Sequence, residues 1–493
     1  MKKTIIIIFI YFFFITPAMS KDGDLVWDYK SDKFLETLKE GNKGLLDNNL
    51  QKELDKQIKE QLDITLLPVD LETCLNIALK NNYGLQIAGT QKEETKWNYA
   101  NSYSDLFPDF YYGYQIQALK GEFLVGDILP RVIRQNPIYS GITLEYPIGN
   151  GSTFFTIASA KNLYRSQKHK YQYTKSELLL KTTMYYYDLL EAKINIEVLL
   201  SNLRDRHEQL RLMIARYHIG IGSKYDILRA EAQYADAKQE LISALNSLRL
   251  QQAKLANIMG IEVTLTLYPF EHGAKPRELI QKTNTIDSLY NVALQSREDI
   301  KAKRAEIRSL VNLKNRNYTD FAPYIDLRYE FAKVGVTGDQ SLRTNHTWSL
   351  NVVVPLGEKM GVKTLTQKNA DLAKVKTARL ELTNLERNVK ESIVSSYYSS
   401  RTALEKIEAN KKQVEAAEEG LKFSLIGFDV GQNTFIDVLT SQTEKTSARQ
   451  QLLRSIIEYN KAQAQMLFDT GVISPKTLLL NYRTMQQIYN EKK

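Results

Sequence analysis

Hydrophobic positions follow two periods along this chain, and the periods alternate in a fixed order. Leu71, Leu75, Ala78, Leu79, Leu85 and Ala88 recur at helical spacing and predict a helix from Leu71 to about Asp105. Pro108 ends it, and the period falls to two: Phe110, Tyr112, Tyr114, Ile116 and Ala118 alternate with Tyr111, Gly113, Gln115 and Gln117. Beyond Lys120–Pro137, read as a long loop, Ile142, Leu144, Tyr146 and Ile148 alternate with Gly141, Thr143, Glu145 and Pro147. This is a β-hairpin with one apolar and one polar face. From about Thr156 to Ile214 a proline-free helical pattern runs for on the order of 90 Å. Tyr217-His218-Ile219-Gly220 then reverses the chain, with glycine where a helix ends. Ser223 stands three residues before Asp226, the capping-box spacing that opens a new helix. That helix carries Leu241, Leu245, Leu248, Leu255 and Met259, a coiled-coil seam broken only at Gln252.

The whole order then recurs. Gly220 lands on Gly431 at an offset of 211 residues, and the same offset carries Asp226 to Asp437, Leu228 to Leu439, Gln252 to Gln463 and Gly260 to Gly471 without a gap. Ile286–Ala293 matches Leu71–Ala78, and Pro323 matches Pro108, at an offset of 215. In the second hairpin Ile325, Leu327, Tyr329 and Phe331 face one way and Asp326, Arg328 and Glu330 the other. Trp348, Leu350, Val352 and Val354 oppose Ser349, Asn351 and Val353. A long helix to about Ile426 and the reversal Phe428-Asp429-Val430-Gly431 complete the copy, with Thr434 three residues before Asp437. Such a repeat overrides any domain count taken from length.

The expected organisation is a signal peptide over 1–20, an N-terminal extension over 21–70 and a first repeat over 71–260 with strands at about 107–119 and 138–149. A connector over 261–285, with a short strand near Val263–Leu267, leads to a second repeat over 286–471 with strands at about 323–333 and 346–357. Residues 472–493 form a tail with no assigned role. Strands of about ten residues have the length that crosses an outer membrane when tilted. Four strands cannot close a barrel and open edges are not tolerated in lipid, so strands are pooled between subunits. The fold class is therefore an α+β membrane protein. It combines long coiled-coil helices, whose seams need partners, with membrane-crossing strands pooled between subunits, built from two helix–hairpin–helix repeats per chain.

Composition sharpens this reading. Lys2-Lys3, the apolar run Ile5–Ile15 and Ala18-Met19-Ser20 form a secretory signal. The net charge of +9 comes from Lys and Arg interspersed with acids along helices, which reads as solvated helix faces and not as a nucleic-acid surface. Cys74 is the single cysteine, so no internal disulfide or cysteine metal cluster can form. The five histidines lack metal-ligand spacing, and no phosphate loop or nucleophile elbow is present. The chain is expected not to be an enzyme and to need no cofactor. Two function classes remain: a transport conduit, or a structural trimeric coiled-coil envelope protein anchored in the outer membrane. Gln115, Gln117, Asp326, Arg328 and Glu330 on the polar strand face suit a water-filled lumen.

Ala215-Arg-Tyr-His-Ile-Gly220 with Asp226-Ile-Leu228, and Val430-Gly431 with Asp437-Val-Leu439, set in register within the doubled order, resemble the TolC family of outer-membrane efflux and secretion channels. The resemblance runs from Leu71 to Gly471. It implies a homotrimer with a twelve-strand barrel and a periplasmic helical barrel. It also implies partners: a periplasmic adaptor (membrane fusion) protein, an inner-membrane pump and outer-membrane lipid, in a tripartite efflux or type I secretion system. The tips Ile219, Gly220, Ile221, Val430 and Gly431 would meet the adaptor. The family's closed gate maps onto Phe428, Asn433, Asp437 and Thr440, with Asp226 on the first hairpin. The family pattern can carry an aromatic hydroxyl, an arginine and two aspartates there, so the match is partial. Asp226 and Asp437 also occupy capping-box positions, and a helix cap and a ring of charge both fit the sequence.

Overall fold

The computed structural model describes residues 67–124, 130–135, 137–148, 151–271, 273–280, 284–336, 342–355 and 361–479. The signal peptide, nearly all of the N-terminal extension and the tail beyond 479 lie outside the described residues. The chain runs β1 (Leu67–Val69), α1 (Leu71–Asn81), α2 (Tyr83–Asn101), β2 (Asp109–Ile116), β3 (Leu119–Leu124), β4 (Pro130–Gln135), β5 (Pro137–Ile148), α3 (Gly151–His218) and α4 (Lys224–Met259). It continues β6 (Leu267–Pro269), α5 (Ile286–Ser296), α6 (Glu298–Arg316), β7 (Tyr324–Val336), β8 (Arg343–Val353), α7 (Val362–Asp429), α8 (Phe435–Asp469) and α9 (Pro475–Leu479). The long helices α3 and α7 are both 68 residues, each about 100 Å of rise. Among the described residues no helix is long and apolar enough to cross a membrane.

The two hairpins join into one antiparallel sheet in the order β2-β5-β7-β8. Its register aligns Phe110, Leu144, Tyr329 and Trp348 in one row, and Tyr146, Leu327 and Leu350 in the next row on that face. The opposite face carries the rows Asp109, Glu145, Arg328, Ser349 and Pro147, Asp326, Asn351. All the apolar alternants thus fall on one side, as a period of two requires once the register is fixed. Phe110 and Trp348 are each 68% exposed on that side, and the Tyr329 and Trp348 rings lie 4.3 Å apart. On the polar side Tyr111 donates to Glu145 Oε2 at 3.0 Å, and Arg328 pairs with Glu330 at 3.6 Å. The stretch expected as a loop at 120–137 instead holds a second hairpin, β3 with β4. Continued pairing satisfies backbone groups that a loop would leave to water.

The expected single helix from Leu71 to Asp105 is broken at Asn82. Asn82 adopts an extended backbone, accepts from Leu85 N at 2.9 Å to cap α2, and donates to Ile258 O at 2.8 Å. Its repeat counterpart Arg297 breaks α5 from α6 and donates to Asp469 O at 3.0 Å, again at the end of the following hairpin. Burial alone would lower the Arg297 pKa; the Asp299 carboxylate, bonded at 2.6 and 3.0 Å, raises it instead.

The main core gathers Leu75, Tyr186, Tyr187, Leu190, Leu255, Met259, Leu289, Ile300, Ile393 and Leu467 around the middle of α3 and α7. Cys74 is buried in it, and burial pushes its thiol pKa up to about 12. Val472, Ile473 and Leu478, from the stretch read as a tail, belong to the same core. The short strand of the connector lies at Leu267–Pro269, later than expected, and pairs in parallel with β1. Gln252, the break in the apolar seam, is buried and donates to Leu267 O at 3.0 Å. Gln463, its counterpart, accepts from Leu279 N at 3.0 Å and Ile280 N at 2.9 Å and donates to Ser400 Oγ at 2.7 Å. Each glutamine holds a non-helical segment against its helix. Replacing Gln463 by Leu strands two buried backbone donors, each costing about 1–3 kcal/mol. Chemical unfolding should show a loss of at least that size; an unchanged midpoint would mean the connector does not depend on this side chain.

Candidate functional site: the paired chain reversals

The ends of α3 and α7 remote from the sheet carry the reversals, and both close the same way. Gly220 N bonds Tyr217 O at 3.0 Å and Ile221 N bonds Arg216 O at 3.0 Å; Gly431 N bonds Phe428 O at 3.2 Å and Gln432 N bonds Gly427 O at 2.7 Å. These are Schellman ends, which need a left-handed residue. Gly220 and Gly431 supply it at φ of 80° and 79°. Around these caps Ile219, Ile221 and Val430 stand 71%, 65% and 65% exposed. Helix closure does not require apolar side chains there.

The two following helices start differently. Thr434 and Asp437 close a full reciprocal box: Asp437 Oδ2 accepts from Thr434 N at 2.8 Å and from its hydroxyl at 2.7 Å, while Asp437 N donates to Thr434 Oγ1 at 3.4 Å. The Thr434 hydroxyl, then its N–H, hold the Asp437 carboxyl below the usual carboxylate range. At the first reversal Ser223 accepts from Tyr225 N at 3.1 Å, and no reciprocal bond from Asp226 accompanies it among the described residues. The expected capping box at Asp226 is therefore corrected to a simple serine cap, since the Ser223 hydroxyl is engaged one residue earlier in the helix.

The remaining gate candidates are all placed by the second reversal. Asn433 donates to Ser424 O at 3.4 Å, and its side chain occupies the space a Cβ at Gly427 would need. Thr440 is exposed and donates back to Ile436 O at 2.9 Å. Phe428 is half-buried against Phe435, ring centroids 5.8 Å apart. Asp226 lies on the other reversal, and no hydrogen bond or ion pair joins it to these four among the described residues.

The residue that does join the reversals is Arg216. Its guanidinium lies 4.3 Å over the Phe428 ring and pairs with Asp429 at 3.6 Å. The sequence carried no distinct signal for it: Arg216 stands at the position of Gly427 at the 211 offset, but His218/Asp429, Ile221/Gln432 and Gly222/Asn433 differ as well. Behind it Leu210, Met213, Ala230, Leu421, Phe435, Val438 and Leu439 form a small core shared by both hairpins. Among the described residues no three His, Cys, Asp or Glu side chains gather to hold a metal.

The sequence matches the family described as "Outer membrane efflux protein" over residues 74–261 and 289–471, the two repeats in turn. The chain belongs to that family. Its members are channel proteins of the outer membrane, and this chain is an outer-membrane efflux protein. It is 22% identical to the outer membrane protein TolC of Vibrio cholerae over 419 residues, 83% of this chain and 92% of that protein. It is 22% identical to the alkaline protease secretion protein AprF of Pseudomonas aeruginosa over 348 residues, 69% of this chain and 71% of that protein. The fold is similar to the CmeC outer membrane channel of Campylobacter jejuni, with a TM-score of 0.70 at 15% identity, covering 86% of this chain and 89% of that one.

Because the folded pKa of Asp437 is depressed, its contribution to the reversal is complete above the ordinary carboxylate pKa of about 4 and is lost as pH falls through the folded value. The protection factor of the Thr434 amide, its exchange rate taken relative to the intrinsic rate at each pH, should fall in that acid window in the parent protein and stay level in Asp437→Ala. Equal acid sensitivity in both would remove the box as the cause.

Proposed function

We propose that three copies of this chain form the outer-membrane exit duct of a tripartite efflux or type I secretion system. The observation that carries this reading is the sheet. It is antiparallel and apolar on one exposed face, and among the described residues β2 and β8 each pair on one side only. Pairing β8 of one copy with β2 of the next gives twelve strands and leaves no edge in lipid. The face with Asp326, Arg328, Glu330 and Asn351 then lines the lumen, and Trp348, Tyr329 and Phe110 meet lipid and headgroups. The helices close the same way below the membrane, each copy contributing two hairpins to one tube. The duct passes its cargo without carrying out a reaction.

Ile219, Ile221 and Val430, exposed beside Gly220 and Gly431, are the apolar contacts that a periplasmic adaptor takes, and the adaptor in turn brings an inner-membrane pump. Names among the relatives support a secretion as well as an efflux setting. In the ring, three Asp437 carboxylates, kept ionised by their caps, draw cations to the mouth. Asn433, Phe428 and Thr440 shape that mouth, and Asp226 lies on the neighbouring hairpin. Asp437→Asn keeps an acceptor for Thr434 but removes the charge, so cation selectivity should fall in planar bilayers with little change in trimer stability. Unaltered conductance with a weakened trimer would leave Asp437 as a cap alone.

Two substitutions test the faces and the tips. Leu350→Arg should cost about 2–4 kcal/mol near the bilayer midplane, whereas Asn351→Arg should be tolerated and shift ion selectivity. The reverse pattern would invert the sheet. Ile221→Asp should abolish efflux from cells while the trimer stays intact; normal efflux would remove the docking role of the tip.

A further inference from the structure

The net charge of +9 is unevenly spread along the helices. In α8, and in α7 beyond Lys376, acids at least match bases. Next to the sheet the balance changes. The first part of α3, residues 151–170, carries Lys161, Arg165, Lys168 and Lys170 and no acid. The end of α6, residues 307–316, carries Arg308, Lys314 and Arg316 and no acid. The start of α7, residues 362–376, sets Asp371 against its lysines, and Asp371 is buried and already bound to Lys374 at 2.9 Å. Elsewhere the helices pair cations with acids, as Lys303 does with Glu381, Arg449 with Glu418 and Lys461 with Asp188. Among the described residues no acid pairs with Lys96, Lys161, Arg316 or Lys368.

Exposed aromatic rings stand beside these cations. Trp97, Phe154 and Tyr318 are all exposed. Lys96 Nζ lies 5.8 Å from the Trp97 ring centroid, and Lys368 Nζ 4.8 Å from that of Tyr318. Lys161 follows Phe154 by two helical turns and shares its face of α3. That face is clear of both neighbours: α3 meets α6 through Ser159 and Ser166, and α2 through Tyr164 and Gln167. At 1.5 Å of rise per residue, the cations lie within about 15 Å of the sheet-side helix ends. Rings in that zone continue the apolar face of the sheet, and such rings settle where acyl chains meet headgroups. A lysine or arginine stem there lies along apolar surface while its charge extends into the headgroup layer.

We infer that the helix ends beneath the sheet form a collar for anionic phospholipids of the membrane's inner leaflet. Trp97, Phe154 and Tyr318 mark the acyl boundary, and Lys96, Lys161, Arg316 and Lys368 meet the phosphates. The occupant is a lipid and not a soluble anion, because the cations come with exposed rings and run on from the lipid face of the sheet. A headgroup with net negative charge is preferred to a zwitterionic one, whose own ammonium offsets its phosphate. This rests on the apolar face of the sheet meeting lipid.

The three tryptophans supply the test, since Trp97 reports on the collar and Trp348 on the sheet. One full-length protein carries Trp27→Phe and Trp348→Phe and keeps Trp97; the other carries Trp27→Phe and Trp97→Phe and keeps Trp348. Each is reconstituted in phosphatidylcholine vesicles containing increasing dibromo-phosphatidylglycerol or dibromo-phosphatidylcholine, whose bromines quench indole on contact. Trp97 should be half-quenched at an about fivefold lower content of the brominated phosphatidylglycerol. High salt should abolish that preference, and so should Lys96→Gln, Arg316→Gln and Lys368→Gln combined. Lys411→Gln with Lys412→Gln, far along α7, should leave it in place. Trp348 should be quenched by both lipids in every variant, which also shows that each has folded and inserted. Equal quenching of Trp97 by the two lipids at low salt, or a preference that survives the triple substitution, would overturn the collar. So would a Trp97 quenched by neither lipid while Trp348 is quenched, and the lipid face of the sheet would then stand. Failure at both tryptophans would overturn that face as well.

Discussion

Everything in this chain follows from a sheet that cannot finish itself. Four strands with an apolar face leave two rows of backbone donors and acceptors at β2 and β8. In water those edges would be a liability; in hydrocarbon each unpaired group costs several kcal/mol. In the proposed ring of three copies, the sheet of the next copy covers them. The helices obey the same logic. Among the described residues, α4 and α7 each carry exposed positions along much of their length, as β2 and β8 do. A family of outer-membrane efflux proteins is where such a chain belongs.

The repeat provides economy, and its departures provide function. Both copies end their long helices in the same Schellman geometry and hold a non-helical segment with the same buried glutamine. Where the copies differ, the second reversal has a full capping box and a glycine opposite Arg216. That glycine leaves room for the Asn433 side chain, and Arg216 reaches Phe428 from the first hairpin. Within the chain, Asn202, Asp205 and Arg206 of α3 bond to side chains of α8.

The order of elements and the faces of the strands were legible because two periods and one offset encode them. Leu350 and Asn351 could be assigned to opposite faces before any register was known, and the pairing with Leu327 and Asp326 bears this out. What stayed hidden depends on contacts distant in sequence. Asn82 reads as one residue in a helical run; its bond to Ile258 O makes it a break. Ile473 and Leu478 look like tail residues until the core of α1 and α3 stands beside them. Residues 120–137 alternate too weakly to predict that β3 and β4 pair. Arg216 is one arginine among many on a solvated helix, and only the packed reversals bring Phe428 and Asp429 under it. The gate candidates were legible as positions but not as bonds, because a cap and a charge ring place the same acid at the same residue.

The account stands on three copies sharing one barrel. Multi-angle light scattering of the detergent-extracted protein, with the detergent mass subtracted and circular dichroism taken on the same peak, measures that most directly. The account predicts a single species of three chains with its full β content. A stable monomer that keeps the β signal would contradict it, since its sheet would then have found another way to cover β2 and β8.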